Sequence, residues 1–366
     1  MILISSLIGL SYTILIASFY YGLQKKAPLK TTVKNPLNCF SLLIAFRNEA
    51  TNLPVLLNSL KELKYPTTLF EIIFIDDHSE DASSKIIETF SAQNSQINIS
   101  IVSNEKTGKK AAISLGIKQS KFDWILTTDA DCKLPKLWIA SFDNLLQEKD
   151  YKFIAGPVAL SGTTSFLYQF QNIDFLSLQG STIGSFSIGK PFMCNAANSG
   201  FNKVTFQELR GFNGNLAIAS GDDVFLLEKM VQEHPTKIGF LHTEEAIVET
   251  KSQNSWKQLI NQRMRWAAKA TAYKNAFGIF VGTVIFSSNI LLLILAVLNT
   301  KLALSFFLGK LIIDYLLILK TANFFSKKTA FGSYLITSFM YPIFSVLIFL
   351  STLLFQFEWK GRVMKK

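Results

Sequence analysis

The stretch Trp124-Ile125-Leu126-Thr127-Thr128-Asp129-Ala130-Asp131 decides the fold. It is a short apolar run that ends in two carboxylates, the pattern of a buried strand delivering acids to its C-terminal tip. In open α/β sheets, ligands bind outside the C-terminal ends of the strands. Paired hard oxygen donors suit Mg²⁺ or Mn²⁺, ions that commonly arrive bound to phosphates. Asp-x-Asp alone is a weak pattern, so its weight comes from the surrounding order.

Three strand–helix units precede it. Cys39 to Phe46 is a continuous apolar run and reads as a buried strand. Thr51 or Asn52 can cap the next helix, with Pro54 in its first turn and Leu53, Leu56, Leu57, Leu60 and Leu63 at helical spacing. Glu71 to Ile75 is the second strand, ending at Asp76-Asp77, and Asp81 caps a helix carrying Ile86, Ile87 and Phe90. Ile97 to Val102 is the third strand, followed by Thr107-Gly108-Lys109-Lys110 and a helix with Ala111, Ala112, Leu115 and Ile117. Near-continuous apolar strands alternating with helices predict a parallel sheet covered on both faces. Right-handed crossovers then set every strand tip on one edge. Arg47-Asn48-Glu49, Asp76-Asp77, Gly108-Lys109 and Asp129-Ala130-Asp131 are expected to converge there. No G-x-G-x-x-G follows the first strand, which argues against a dinucleotide-binding domain.

Downstream, Tyr151 to Leu160 reads as one strand and Thr163 to Ser181 as a helix. Pro191 to Phe201 reads as irregular, and Gly211-Phe212-Asn213-Gly214 as a turn. Ser220-Gly221-Asp222-Asp223 opens a helix with Val224, Leu227 and Met230. Acids at a helix start are often caps. That accounts for one Asp better than for two.

The chain has 366 residues, 49% of them hydrophobic, and its apolar character is concentrated. Met1 to Gln24, Asn275 to Thr300 and Thr329 to Phe357 carry no charge. Each exceeds the roughly 20 residues that a bilayer core requires. The first run lacks a basic leader and a cleavage site, so it reads as an anchor rather than a signal peptide. Lys25, Lys26, Lys30 and Lys34 follow it, and the positive-inside rule puts the next domain in the cytoplasm. The net charge of +11 then fits contact with anionic lipid. Nucleic acid is set aside, because the lysines flank apolar spans and no nucleic-acid motif occurs. Cys39, Cys132 and Cys194 have no pairing or metal-ligand spacing, and neither do His78, His234 and His242.

Leu302 to Lys320 is a further apolar segment, interrupted by Lys310 and Asp314 one helical turn apart, where they can pair. Its apolar residues contribute roughly −4 to −7 kcal/mol to insertion and the two charges cost roughly +5 to +7 kcal/mol. The C-terminal region therefore holds two or three spans. Pro342 could bend the last into a re-entrant shape. Three spans would put the tail residues Lys360, Arg362, Lys365 and Lys366 outside, against the positive-inside rule. The expected plan is an anchor at 1–24, a catalytic domain at 38–254, an amphipathic interfacial helix at 255–274, a membrane region at 275–357 and a basic tail at 358–366.

From about Phe40 to Trp266 the chain resembles the membrane-associated branch of the family 2 glycosyltransferases, which have the GT-A fold, a mostly parallel α/β sheet flanked by helices. The residues that carry the resemblance are Ala45-Phe46-Arg47-Asn48-Glu49, Asp76-Asp77-His78-Ser79-Glu80-Asp81, Gly108-Lys109, Asp129-Ala130-Asp131, Gly221-Asp222-Asp223 and Gln262-Arg263-Met264-Arg265-Trp266. The last is the family's Gln-x-x-Arg-Trp. The resemblance implies that Ala45, Arg47 and Glu49 line a nucleotide pocket and that Asp77 reads the base. An acceptor-only carboxylate suits a uracil N–H. Lys109 starts a helix and would face phosphate. Asp131 would bind Mg²⁺ or Mn²⁺, and Asp129 the ribose or the metal. Asp223 would be the general base of an inverting transfer. The family more often has Glu-Asp there, so Asp222 stays an alternative. Gln262, Arg265 and Trp266 would close over the diphosphate and shape the acceptor site, while Asn195 and Asn198 fall on the acceptor-side loop.

The implied protein is a metal-dependent enzyme of a bacterial-type inner (cell) membrane, with its catalytic domain in the cytoplasm. Its donor would be a nucleotide-diphosphate sugar, UDP-linked by the Asp77 reading. Its acceptor would be a lipid or lipid-linked saccharide. A processive polysaccharide synthase is the alternative within the family. A catalytically inactive GT-A-like membrane scaffold is the alternative from another class, and the intact acids argue against it.

Overall fold

The computed structural model describes residues 2–25, 30–31, 35–214, 221–270, 272–355, 357–359 and 362–364. Lys26, Lys34, Ser220, Lys360, Lys365 and Lys366 lie outside them. The chain divides into two units. One comprises Met1–Ala27, Gly162–Phe192 and Ser252–Lys366, and is helical. The other comprises Pro28–Ser161 and Met193–Lys251, and carries the main sheet.

The helical unit begins with α1 (Ile2–Lys25). In the sheet unit, β1 (Phe40–Phe46) leads to α2 (Leu53–Lys61), β2 (Phe70–Asp76), α3 (Ser83–Gln93), β3 (Asn98–Ser103), α4 (Lys109–Gln119) and β4 (Trp124–Thr127). β1 pairs in parallel with both β2 and β4, and β2 with β3. The registers Phe46↔Asp76 and Asp76↔Ser103 bring three strand ends level at one edge. β1 and β2 are buried along almost their whole length, as continuous Leu, Ile and Phe require. β3 lies at the edge of the sheet and alternates between exposed and half-buried residues.

Beyond α5 (Trp138–Glu148) the expected strand from Tyr151 to Leu160 is two strands, β5 (Phe153–Ala155) and β6 (Val158–Ser161), in two sheets. The break falls at Gly156-Pro157. A Cβ on Gly156 would sit 2.4 Å from the Asn198 side chain, and Pro157 has no N–H for a ladder. α6 (Phe166–Ser187) groups with the helical unit.

The stretch expected to be irregular ends in β7 (Ser199–Asn202), which inserts antiparallel between β4 and β5. Gly and Asn are poor strand formers. Gly200 is there because of close packing, since its Cβ would lie 2.7 Å from Leu126 and 2.8 Å from the Phe142 ring. After α7 (Lys203–Glu208) come α8 (Asp222–Glu233), β8 (Ile238–Phe240) and β9 (Val248–Lys251). The order β3-β2-β1-β4-β7-β5-β8 completes a seven-stranded sheet, with β6 and β9 forming a parallel pair beside it.

The helical unit continues with α9 (Trp256–Ala270), α10 (Ala276–Leu298), α11 (Thr300–Phe324) and α12 (Phe331–Leu354). Among the described residues, α1, α10, α11 and α12 are long and apolar enough to cross a membrane. α12 runs without interruption through Pro342, so the re-entrant bend is not formed. α1 and α6 approach closely at Gly22, where a Cβ would meet the Gly184 carbonyl oxygen at 2.4 Å. Lys310 and Asp314 pair at 2.6 Å on α11, and the Tyr12 hydroxyl donates to the other Asp314 oxygen at 2.6 Å.

Candidate active site

The loops after β1 and β2 are built around each other. Asn48 and His78, the second residues past these strands, adopt left-handed backbone angles, φ 52° and 66°. Such angles cluster where loops carry function. Asn48 accepts the Glu80 N–H at 2.8 Å, and its own N–H donates to Ser79 Oγ at 3.2 Å. Asp76 accepts the Ser79 N–H and the Ser84 hydroxyl, each at 2.8 Å, so it is spent on the turn. Asp77 is buried, and its Oδ1 accepts from Asn104 Nδ2 and from Gly108 N–H, each at 2.8 Å. Gly108 has φ +100° with nothing near its absent Cβ, so backbone conformation alone calls for glycine.

Arg47 lies 3.8 Å from Glu80, which is largely exposed, so that ion pair is weak. Glu49 is buried, with its N–H donating to Ser83 Oγ at 2.9 Å and its carboxylate accepting from Asn52 at 2.6 Å. Asn52 therefore bonds backwards instead of capping α2. Asp81 bonds Ser83 N–H at 3.0 Å and holds the Ala50 N–H at 3.0 Å, while the cap position itself is Ala82. Ala45 is half-buried in β1, paired with Ile75.

Lys109 is the first residue of α4 and joins the two acidic pairs. Its Nζ lies 2.5 Å from Asp129 and 3.6 Å from Asp222. Burial pulls its pKa down, but the Asp129, Asp222 and Asp223 carboxylates push it further up, above the ordinary lysine range. The ammonium therefore stays charged. β4 ends at Thr127, opposite Leu43, and the chain turns so that Cys132 N–H donates to the Asp129 carbonyl at 3.1 Å. Cys132 Sγ is 3.7 Å from Asp131. Burial, together with Asp131 and Asp129, pushes that thiol pKa well up, so it stays protonated.

Gly221, in the left-handed region at φ 84°, starts α8 and sends its two acids in different directions. Asp222 faces Lys109. Asp223 accepts the Ala196 N–H at 3.1 Å and the Val224 N–H at 2.8 Å. Ala196 begins a 3₁₀ turn capped by Asn195, whose side chain accepts the Ala197 N–H. Asn198 is fully buried in the same turn. Its amide donates to the Pro157 and Ala246 carbonyls at 2.8 Å and accepts from Trp138 Nε1 at 2.9 Å. Its polar atoms are thus bonded inside the domain, where they tie the turn to Trp138, Pro157 and Ala246. Asn104 and the Ala196 amide were missed by sequence reasoning. Asn104 had a signal, as a polar residue at a strand tip like the others, whereas a backbone amide has none.

Among the described residues no three His, Cys, Asp or Glu side chains cluster as a metal site. Asp129 and Asp131 fit an ion that is bound by one or two carboxylates and brings phosphates with it, as Mg²⁺ does. Gln262, Arg265 and Trp266 lie on α9 of the helical unit, where Gln262 bonds Arg263 at 2.5 Å and the Arg263 guanidinium stacks 4.2 Å from the Trp266 ring.

Residues 41–210 match the model of the family described as Glycosyl transferase family 2. This stretch, a little under half of the chain, is similar to the family 2 glycosyltransferases. It is 35% identical over 104 residues to an undecaprenyl-phosphate 4-deoxy-4-formamido-L-arabinose transferase of Pseudomonas fluorescens, covering 27% of this chain and 30% of that protein. It is 26% identical over 175 residues to a poly-beta-1,6-N-acetyl-D-glucosamine synthase of Staphylococcus aureus, covering 48% and 41%. The chain thus spans less than half the length of these curated relatives. A mannosyltransferase from Pyrobaculum calidifontis, solved with GDP-Man and Mn²⁺, superposes with a TM-score of 0.57 at 13% identity, over 95% of this chain and 99% of that one. The likeness is one of fold. The sheet unit has the expected GT-A architecture, a mostly parallel sheet with flanking helices, and the chain adds long apolar helices at both ends.

Proposed function

We propose that this chain is a membrane-bound, metal-dependent, inverting glycosyltransferase. It moves a sugar from a nucleotide-diphosphate sugar, UDP-linked, to a hydroxyl of a lipid or lipid-linked saccharide. The observation that carries this reading is Lys109, which reaches Asp129 on one side and Asp222 on the other. The donor-binding Asp129 and the acidic pair that includes the base Asp223 thereby belong to one constellation. Asp77 supports uracil, since an acceptor-only carboxylate matches its imide N–H. Asp129 and Asp131 would hold the divalent ion, which when bound neutralises the diphosphate leaving group.

Asp223 takes the proton from the acceptor hydroxyl as that oxygen bonds to the anomeric carbon. The bond from this carbon to the diphosphate breaks on the opposite face, so configuration inverts. Ala196 N–H aims the Asp223 carboxylate, and Lys109 keeps Asp222 paired. Gln262, Arg265 and Trp266 serve the diphosphate and acceptor. The lysines after α1 favour a cytoplasmic catalytic domain, where nucleotide sugars are made.

The match to a polysaccharide synthase over 48% of the chain favours polymerisation as a second reading. The test incubates the purified protein with membrane lipid extract, Mg²⁺ or Mn²⁺ and a panel of UDP-sugars, followed by mass analysis of the lipids. One or a few sugars added to a lipid is the expected product. A high-molecular-weight polymer would replace this reading with the synthase. No transfer from any nucleotide sugar would overturn both.

A further inference from the structure

The motif helix α9 is amphipathic. Leu259 and Met264 are buried, and Met264 packs with Ile348 and Phe344 of α12. Such contacts attract without direction, so they hold a helix in place but set its rotation loosely. A directional polar contact adds what these lack. Arg263, inside the Gln-x-x-Arg-Trp segment, reaches Asp174 of α6 with Nε at 2.8 Å and a second guanidinium nitrogen at 2.6 Å. The two side chains are 9% and 3% exposed, so water does not compete for them. The Tyr341 hydroxyl of α12 faces the same carboxylate. The remaining arm of Arg263 donates to Gln262 Oε1, and its planar face lies against Trp266, whose ring also meets Phe175. One guanidinium thus orients two of the three motif side chains and is itself held by an acid 89 positions away in sequence.

We propose that Asp174 is a positioning residue for transfer: through Arg263 it sets the orientation of Gln262 and Trp266. This rests on the proposed function, which assigns those two side chains to the diphosphate and acceptor. A buried ion pair adds little stability compared with neutral groups of similar shape, and its best-supported use is to fix register. Arginine suits the task because its fork is rigid and planar.

The test uses the full chain in detergent, with Asp174→Asn, Asp174→Glu, and Asp174→Asn combined with Arg263→Gln. The readouts are turnover, UDP affinity, melting temperature and hydrogen exchange of residues 256–270. Asp174→Asn is expected to lower turnover at least tenfold, to weaken UDP binding, because Gln262 and Trp266 are assigned to the diphosphate, and to speed exchange in α9. Asp174→Glu keeps the charge and should recover part of the turnover. The double variant has two neutral amides that can bond each other, so its melting temperature should return towards wild type while turnover stays at least tenfold down. If turnover returns together with melting temperature, the pair is only structural and the proposal falls. Unchanged exchange over 256–270 in Asp174→Asn would overturn it too. If the wild-type protein transfers no sugar, the enzymatic reading fails, and the exchange result still decides whether Asp174 orients the helix.

Discussion

The two units treat charge in opposite ways. At the strand-tip rim of the sheet unit, Asp77, Asp129, Asp222 and Asp223 meet backbone amides, an asparagine and the ammonium of Lys109. In the helical unit Asp314 is matched by Lys310 and Asp174 by Arg263. An apolar bundle has nothing else with which to balance an ion, so each charge there needs a dedicated partner. At the rim, acids from separate strand and helix ends meet around Lys109, where a bound cation or a transferred proton can use them. Acids at the rim stand where a cation or a proton can use them, whereas the balanced pairs of the bundle hold helices and the motif side chains in place.

The largest effect that tests this contrast is expected at Asp223. Asp223→Asn keeps the shape and can still accept the Ala196 N–H through its amide oxygen, but it cannot take a proton. Turnover should fall by about 10²–10⁴-fold, the usual contribution of a positioned base. UDP affinity should change little, since the loss acts on the transition state. Steady-state kinetics beside calorimetric UDP binding checks both. Equal losses in rate and UDP affinity would remove the role. An inactive Asp222→Asn beside an active Asp223→Asn would exchange the two acids.

The same contrast governs what could be read in advance. β1 to β4 and the acids that follow them were legible because apolar runs ending in charge repeat along the chain. Three of the four long apolar helices were legible from uncharged runs; α11 is interrupted by charges, so the sequence left two or three C-terminal spans, although the Lys310–Asp314 pair was legible from one-turn spacing. β7 was not, because Gly200 and Asn202 are chosen by the crowding of Leu126 and Phe142 and by the cap of α7. Nor was the break at Gly156-Pro157, which exists to admit Asn198. The Asp174–Arg263 pair carries no local pattern across its 89 positions, and Tyr12 meets Asp314 only once α1 packs on α11. Periodic features are local and appear in sequence, while contacts between remote side chains are consequences of packing.

Asn198 sharpens the contrast from within the sheet unit, as a neutral polar residue close to the acids. Asn198→Ala leaves Trp138 Nε1 and the Ala246 carbonyl without the partner it supplies, while the Pro157 carbonyl keeps the Val248 N–H. Each unsatisfied buried group costs about 1–3 kcal/mol, so a loss of about 3 kcal/mol in unfolding free energy is expected. Turnover per folded molecule, assayed well below the melting temperature, should stay near wild type. A stable variant with weakened acceptor binding would instead return Asn198 to the acceptor site.

The smallest effect is expected in the helical unit, for Lys310→Met combined with Asp314→Leu. Either change alone leaves one charge inside the bundle, with Tyr12 as its remaining hydrogen-bond partner. Each single variant should therefore lose more stability than the double. The double exchanges a largely covered pair for apolar side chains of similar volume, which is often neutral. It should unfold within about 1 kcal/mol of wild type, even though it leaves the Tyr12 hydroxyl without Asp314. Thermal unfolding of all three variants in detergent measures the coupling, and a transfer assay on the double measures function. Charges within apolar helices are functional candidates by default, and the transfer assay decides whether this pair is one. If the double folds normally and loses transfer, the Lys310–Asp314 pair serves the reaction and is more than a device for holding α1 against α11.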